Sequence, residues 1–171
     1  MTVSIPESVQ AEGNVKVVFV PTIASLSSPS AAALNAGTDI SCYLMPDWDG
    51  ATGTQNTGES RRFCSRQTFQ RMGREQWSIA PLSYTYDPQN AGGDANAVYD
   101  ALAQGNEGYL VFGYGIEPAN DFASGDVVDI YPVEAGLQSK AARGTDEFAP
   151  LTVMQTLGVI GPRVEDAVLA A

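Results

Sequence analysis

The chain has 171 residues, a net charge of −11, two cysteines and no histidine. That length suits one domain, since folded domains commonly run to ~100–200 residues, and an apolar content of 44% excludes a chain disordered throughout. The charge excludes a free nucleic-acid binder, which needs a basic face to neutralise phosphates, and the absence of histidine excludes His-based triads and most catalytic zinc sites.

Residues 1–13 are polar, contain Pro6 and Gly13, and are read as an N-terminal arm. The start has no basic region leading into an apolar core, so no ordinary signal peptide is expected. No apolar run approaches the ~20 residues that span a bilayer, so a soluble protein without a membrane partner is expected. "NVKVVFV" is a strand rich in β-branched residues. A Ser/Ala/Pro-rich connection leads to "TDISCYLM", where Ile40, Cys42 and Leu44 alternate with Asp39, Ser41 and Tyr43 at the period of a half-buried strand. Pro46 to Ser60 then reads as a long polar loop, and "RRFCSRQTFQ" as a strand with Phe63 and Phe69 on one face and Arg62 and Arg66 on the other.

In "REQWSIAPLSYTYD" the apolar phase changes at Pro81, which cannot donate to a ladder and belongs at a bulge or an edge. One helix is predicted over Asp94 to Gln104. Asp94 is its expected N-cap, Ala97, Val98, Ala101 and Leu102 share one face, and Gly105 is its left-handed terminator. "EGYLVFGYGI" is apolar on both parities and is read as a central strand. "GDVVDIYPVEAG" places Val128 and Ile130 inward and Asp129 and Tyr131 outward. "FAPLTVMQTLGVI" aligns Leu151, Val153, Leu157 and Val159, and residues 161–171 are read as a C-terminal tail. The expected fold is mainly β: an antiparallel sandwich or half-open barrel of about seven strands with one flanking helix, in a single domain spanning 1–171.

No motif carries chemistry. There is no GxSxG, no phosphate loop and no GxGxxG, and the "GYG" at 113–115 lies within a strand and opens no helix. Asp47, Asp49 and Glu59 only faintly resemble a calcium loop, because Ala51 holds the third ligand position and the last acid falls one residue late. Asp126, Asp129 and Glu134 read as acids flanking a solvent face rather than a glycosidase pair. Trp77, Tyr84 and Tyr86 read as a core-facing or interface-facing row rather than a ligand platform. Cys42 and Cys64 have no metal-ligand spacing; buried free thiols are expected, with a cross-sheet disulfide as the alternative. No enzyme activity, metal or cofactor is therefore expected.

The charge is unevenly placed. Arg61, Arg62, Arg66, Arg71 and Arg74 supply five of the nine basic residues within fourteen positions, and Glu75 to Ser139 contains ten acids and no base. Such a division marks either a solvating acidic surface or two faces that meet in a neighbouring subunit.

"NAGTDISCYL", "SYTYDPQ", "AVYDALAQGNEGYLVFGYG", "GDVVDIYPVEAG" and "EFAPLTVMQTLGVIG" together resemble the tail tube (major tail) proteins of long-tailed bacteriophages, most of all those of actinobacterial phages. The resemblance covers nearly the whole chain and rests on diffuse patterns without catalytic invariants. It implies a structural virion protein of the phage tail, made in the host cytoplasm, whose subunits form hexameric rings that stack into a hollow tube for DNA. It implies the tape measure inside and terminator and tip proteins at the ends as further partners. It places Asp47, Trp48, Asp49 and Glu59 in a loop reaching the adjacent ring, gives the terminal arms contacts between subunits, and sets the helix against the sheets on the side away from the lumen. The five arginines then become charge contacts between subunits. Two rival readings are a tail terminator or capsid decoration protein, which closes without stacking, and a ligand-binding β-sandwich module with Trp77, Asp47 and Asp49 at its site.

Overall fold

The structure is a computed structural model that describes residues 7–46, 48–90, 92–141 and 147–170. In chain order the strands are β1 (Val15–Val20), β2 (Thr38–Asp39), β3 (Ala51–Ser60), β4 (Phe69–Ile79), β5 (Leu82–Thr85), β6 (Glu107–Tyr114), β7 (Val127–Ala135), β8 (Ser139–Ala141), β9 (Thr152–Gln155), β10 (Leu157–Val159) and β11 (Val164–Val168). The helices are α1 (Ala31–Asn35) and α2 (Ala97–Ala101). The mainly β, antiparallel fold expected from sequence is the one that forms, with eleven strands among the described residues rather than about seven because several are only two to four residues long.

The largest sheet runs β10-β7-β6-β1-β2, and β11 follows β10 along the same edge of β7. Both of its faces are covered, which is why β6 is apolar on both parities. On one face Val17, Phe19, Leu110, Phe112, Tyr131 and Val133 pack against Leu82, Tyr84 and Val153 of a second sheet, β5-β9-β8, with Val98 and Leu102 at the α2 end. On the other face Val18, Val20, Val111, Val128, Ile130 and Ala167 are covered by Leu34 of α1, Ile23, Phe122 and Leu169. Gly108 makes the first layer possible, because a Cβ there would lie 2.6 Å from the Phe19 ring. A third sheet, the β3-β4 hairpin, pairs only with itself.

Several expectations are corrected. Pro46 to Ser60 is not one loop: from Ala51 onward it is a strand laddered to β4, with Ala51 opposite Ile79 and Ser60 opposite Phe69. The strand expected over "RRFCSRQTFQ" begins only at Phe69, and 61–68 form the turn of that hairpin. "TDISCYLM" is a strand only at Thr38–Asp39 and then a 3-10 turn. The Asp39 carboxylate accepts from the Ser41 backbone N–H at 2.9 Å and its hydroxyl at 2.6 Å, while Ser41 Oγ accepts from Val17 N–H at 2.8 Å. Those side chains take the place of a continuing ladder. Cys42 and Cys64 are consequently exposed free thiols, not buried ones.

The predicted helix is shorter than 94–104: a 3-10 turn over Asp94–Asn96 leads into α2, which ends at Ala101. Asp94 makes no side-chain cap. Gly105 adopts φ +84° in the turn beyond the helix, where its N–H donates to Ala135 O. The Ser/Ala/Pro-rich connection hides α1, capped by Ser30 Oγ accepting from Ala33 N–H at 3.1 Å. Tyr131 is buried rather than outward, because its face of β7 is covered by the second sheet, and Leu151 is exposed because β9 starts after it. The C-terminal segment docks on the body, where β11 completes the edge of β7 and Ala170 N–H donates to Pro29 O.

A buried amide network fastens α2 to both sheets. Gln155 Nε2 donates to Leu102 O at 2.7 Å and Gly136 O at 2.9 Å, and its Oε1 accepts from the Tyr84 hydroxyl at 3.0 Å. Burial pushes the Tyr84 hydroxyl up to about 12, against the opposing effect of the hydrogen bond donated by Gln138. A group that must stay neutral when folded contributes stability fully present below its ordinary value of 10.0, lost as pH rises through about 12. In an alkaline titration read by tyrosinate absorbance, Tyr84, one of the seven tyrosines, should ionise late and together with unfolding. Simultaneous ionisation of all of them with the fold intact would contradict this packing.

Candidate functional site

The β3-β4 hairpin is the least packed element and carries most of the residues singled out from sequence. β3 holds no large apolar side chain, and seventeen of the 21 strand residues are exposed. Two-stranded ribbons are marginal in water on their own, so the hairpin depends on its root. There Trp77 lies across the cross-strand partner Gly53, where a Cβ would sit 2.6 Å from the ring. Trp77 packs near Tyr131 at 6.1 Å, and the Arg163 guanidinium lies 3.5 Å from its ring centroid. Glu165 pairs with Arg163 and holds it in place. Trp48 Nε1–H donates to Ala80 O at 2.9 Å, and the Trp48 ring stacks on Phe112 at 5.6 Å.

Beyond the root the strands run on for about 23 Å to Ser60, at ~3.3 Å per strand residue. A register shift between Gln55 and Thr57 interrupts the ribbon midway and increases its local twist. The turn is closed by Ser65 N–H donating to Arg62 O and Gln67 N–H donating to Ser65 Oγ. Phe63, at this tip, is fully exposed.

The structure separates the sequence-predicted residues. Asp47 lies outside the described residues. Trp48 is half-buried in the root and Asp49 is exposed beside it, whereas Glu59 sits at the far end of β3. With a strand of about 30 Å between them, Asp49 and Glu59 cannot share a cation, and among the described residues no group of three or more His, Cys, Asp and Glu could hold a metal ion. Asp126 and Asp129 hold backbone, accepting from Ala123 N–H and Asp166 N–H. Arg61, Arg62 and Arg66 are brought together at the tip, and Arg71 and Arg74 lie exposed on β4. Arg61 pairs with Glu59 at 3.0 Å. Among the described residues the other four arginines have no carboxylate partner.

Five arginines against Glu59 and Glu75 give residues 51–79 a charge of +3, which leaves −14 on the rest of a chain totalling −11. The sequence reading missed Arg163, whose distance from Trp77 in the chain gives no local signal, and missed the groove beside the root. That groove, of about 630 Å³, runs along Val15, Leu44, Met45, Trp48, Phe112 and Tyr114. Trp77, Tyr84 and Tyr86 form no single row, since Pro81 divides them and Tyr84 is in the core.

A family model described as phage tail tube protein matches residues 2–171. The chain belongs to that family. No curated protein matches it. Membership makes the chain a structural tail protein that assembles with other tail proteins in the virion tail. Among the described residues no helix is long and apolar enough to cross a membrane.

Removing the Arg163 cap should loosen the root of the hairpin. Arg163→Ala is expected to lower unfolding stability by about 1–2 kcal/mol, the range for a desolvated cation–π contact, and to shift tryptophan emission to the red. Arg163→Lys, which keeps the charge but not the planar stack, should fall between. Urea unfolding followed by fluorescence measures both, and unchanged midpoints would remove Arg163 from the anchoring role.

Proposed function

We propose that this chain is the repeating subunit of a hollow tail tube of a long-tailed phage, most like those of actinobacterial hosts. Its rings, six subunits each, stack, and DNA passes along the lumen. It has no catalytic residue and takes no cofactor, and it works as a single domain. Its specific partners are the tape measure protein inside and the terminator and tip proteins at the ends. The observation that carries this reading, beyond family membership, is the long hairpin, with both outer edges unpaired among the described residues and nearly all of its surface exposed. A free strand edge is a template for pairing with another chain, and a contact between unlike surfaces closes into a ring where its rotation allows and otherwise propagates, as a stack of rings requires.

The charge division supports the same reading. A hairpin of +3 against a body of −14 favours hairpin-to-body contact between copies and gives such contacts register. A predominantly acidic body repels phosphate, so DNA slides without adhering. The Asp49 and Glu59 ends of β3 and the arginines at its tip are the proposed contacts between rings.

Concentrated wild-type protein should form tubes or stacked rings in negative-stain electron microscopy. Reversing Arg61, Arg62 and Arg66 to Glu should raise the concentration needed for assembly by roughly tenfold or more, as expected for loss of close interfacial charge pairs. Salt near 1 M, where screening acts within ~3 Å, should weaken wild-type assembly in the same direction. Closed rings or trimers that never stack would favour a terminator or decoration protein instead.

A further inference from the structure

The groove beside the hairpin root is built around a run of stacked rings with one open end. Trp48 stacks on Phe112 at 5.6 Å and 15°, and Phe112 on Tyr114 at 5.8 Å and 11°. Tyr114 is 55% exposed, so the run ends at water. Val15, Leu44 and Met45 supply apolar walls, and among the described residues the charged side chains on the lining are Glu12 and Asp49, with no lysine or arginine.

The hairpin tip is the complement of this site. Phe63 is more exposed than any other large apolar side chain of the described residues, and Arg61 and Arg62 precede it directly. An aromatic ring carries 150–250 Å² of surface that gains by burial, and arginine is the cation suited to carboxylates beside aromatic faces. The tip cannot enter its own groove. Gly50 lines the groove, and β3 holds the tip about 30 Å away along a laddered strand.

We propose that the groove of one copy receives the hairpin tip of a second copy, Phe63 continuing the Trp48–Phe112–Tyr114 stack and Arg61 and Arg62 meeting Glu12 and Asp49. This rests on the reading that the chain assembles with copies of itself, and it names the contact. Because tip and groove are different surfaces, the contact runs head to tail, and where its rotation does not close a ring it leaves a free tip and a free groove at the ends of the stack.

Phe63→Ser, at a position with no packing role in the subunit, should leave thermal unfolding unchanged and raise the concentration for half-assembly roughly tenfold or more, as for a central aromatic anchor. Assembly is read by sedimentation. The charge pairing is tested with two variants, Glu12→Arg/Asp49→Arg and Arg61→Glu/Arg62→Glu. Each alone presents like charges at every contact and should need a roughly tenfold or more higher concentration to assemble, whereas an equal mixture restores opposite charges at every contact and should assemble near the wild-type concentration. Assembly of Phe63→Ser at the wild-type concentration overturns the proposal while leaving the tube reading in place. A mixture that fails does the same, and means that the groove is filled by something else, such as the same chain's N-terminal residues. Wild-type protein that never associates overturns both.

Discussion

A two-stranded ribbon has two faces and two edges, and a chain that builds one more than nine residues long must anchor it or cover it. Here the anchoring is confined to the root, where Trp77 lies between Arg163 and the Gly53 backbone, and Trp48 carries the Phe112 stack to the Ala80 carbonyl. Everything distal is polar, exposed and held by a single ladder. Such a ladder gains little in water. Two long strands joined by an 8-residue turn and left this exposed are understandable if the ribbon is completed by something other than its own subunit.

The rest of the fold keeps that projection in position. The sheet that contains β6 is covered on both faces, by β5-β9-β8 with α2 on one side and by α1 with Ile23, Phe122 and Leu169 on the other. The switch between sheets happens twice in short space, at Ala80–Pro81 and at Thr156, so the hairpin leaves from a corner of the sandwich rather than from a flexible linker. The Gln155 network ties that corner to α2. The helix is thus a plug held by amide hydrogen bonds between two sheets, and it needs no long amphipathic face to remain folded.

How legible this was in the sequence depended on whether the side chain or its distant neighbour decides the structure. β1, β6, β7 and the break at Pro81 follow from local patterning, and so does the antiparallel class. β3 was hidden because its stability comes from the ladder to β4 and not from apolar alternation: "ATGTQNTGES" has no inward face to reveal it. The loss of the "TDISCYLM" strand turns on Asp39 and Ser41 capturing local backbone. α1 is five residues set by one serine cap and by the burial of Leu34 beneath a sheet face that no local period discloses. The basic cluster was visible as composition, but its location on a projecting tip was not, nor was the aromatic groove, which joins residues from three separate stretches of chain.

The central claim is that the hairpin is the element completed by other copies of the chain. Hydrogen–deuterium exchange on free and assembled protein tests it most directly. The amides of β3 and β4 beyond the root should exchange fast in the free subunit and become strongly protected on assembly, while those of β6 and β7 stay protected in both. If assembled particles show the same fast exchange along 53–75 as the free subunit does, the hairpin is not what holds the copies together.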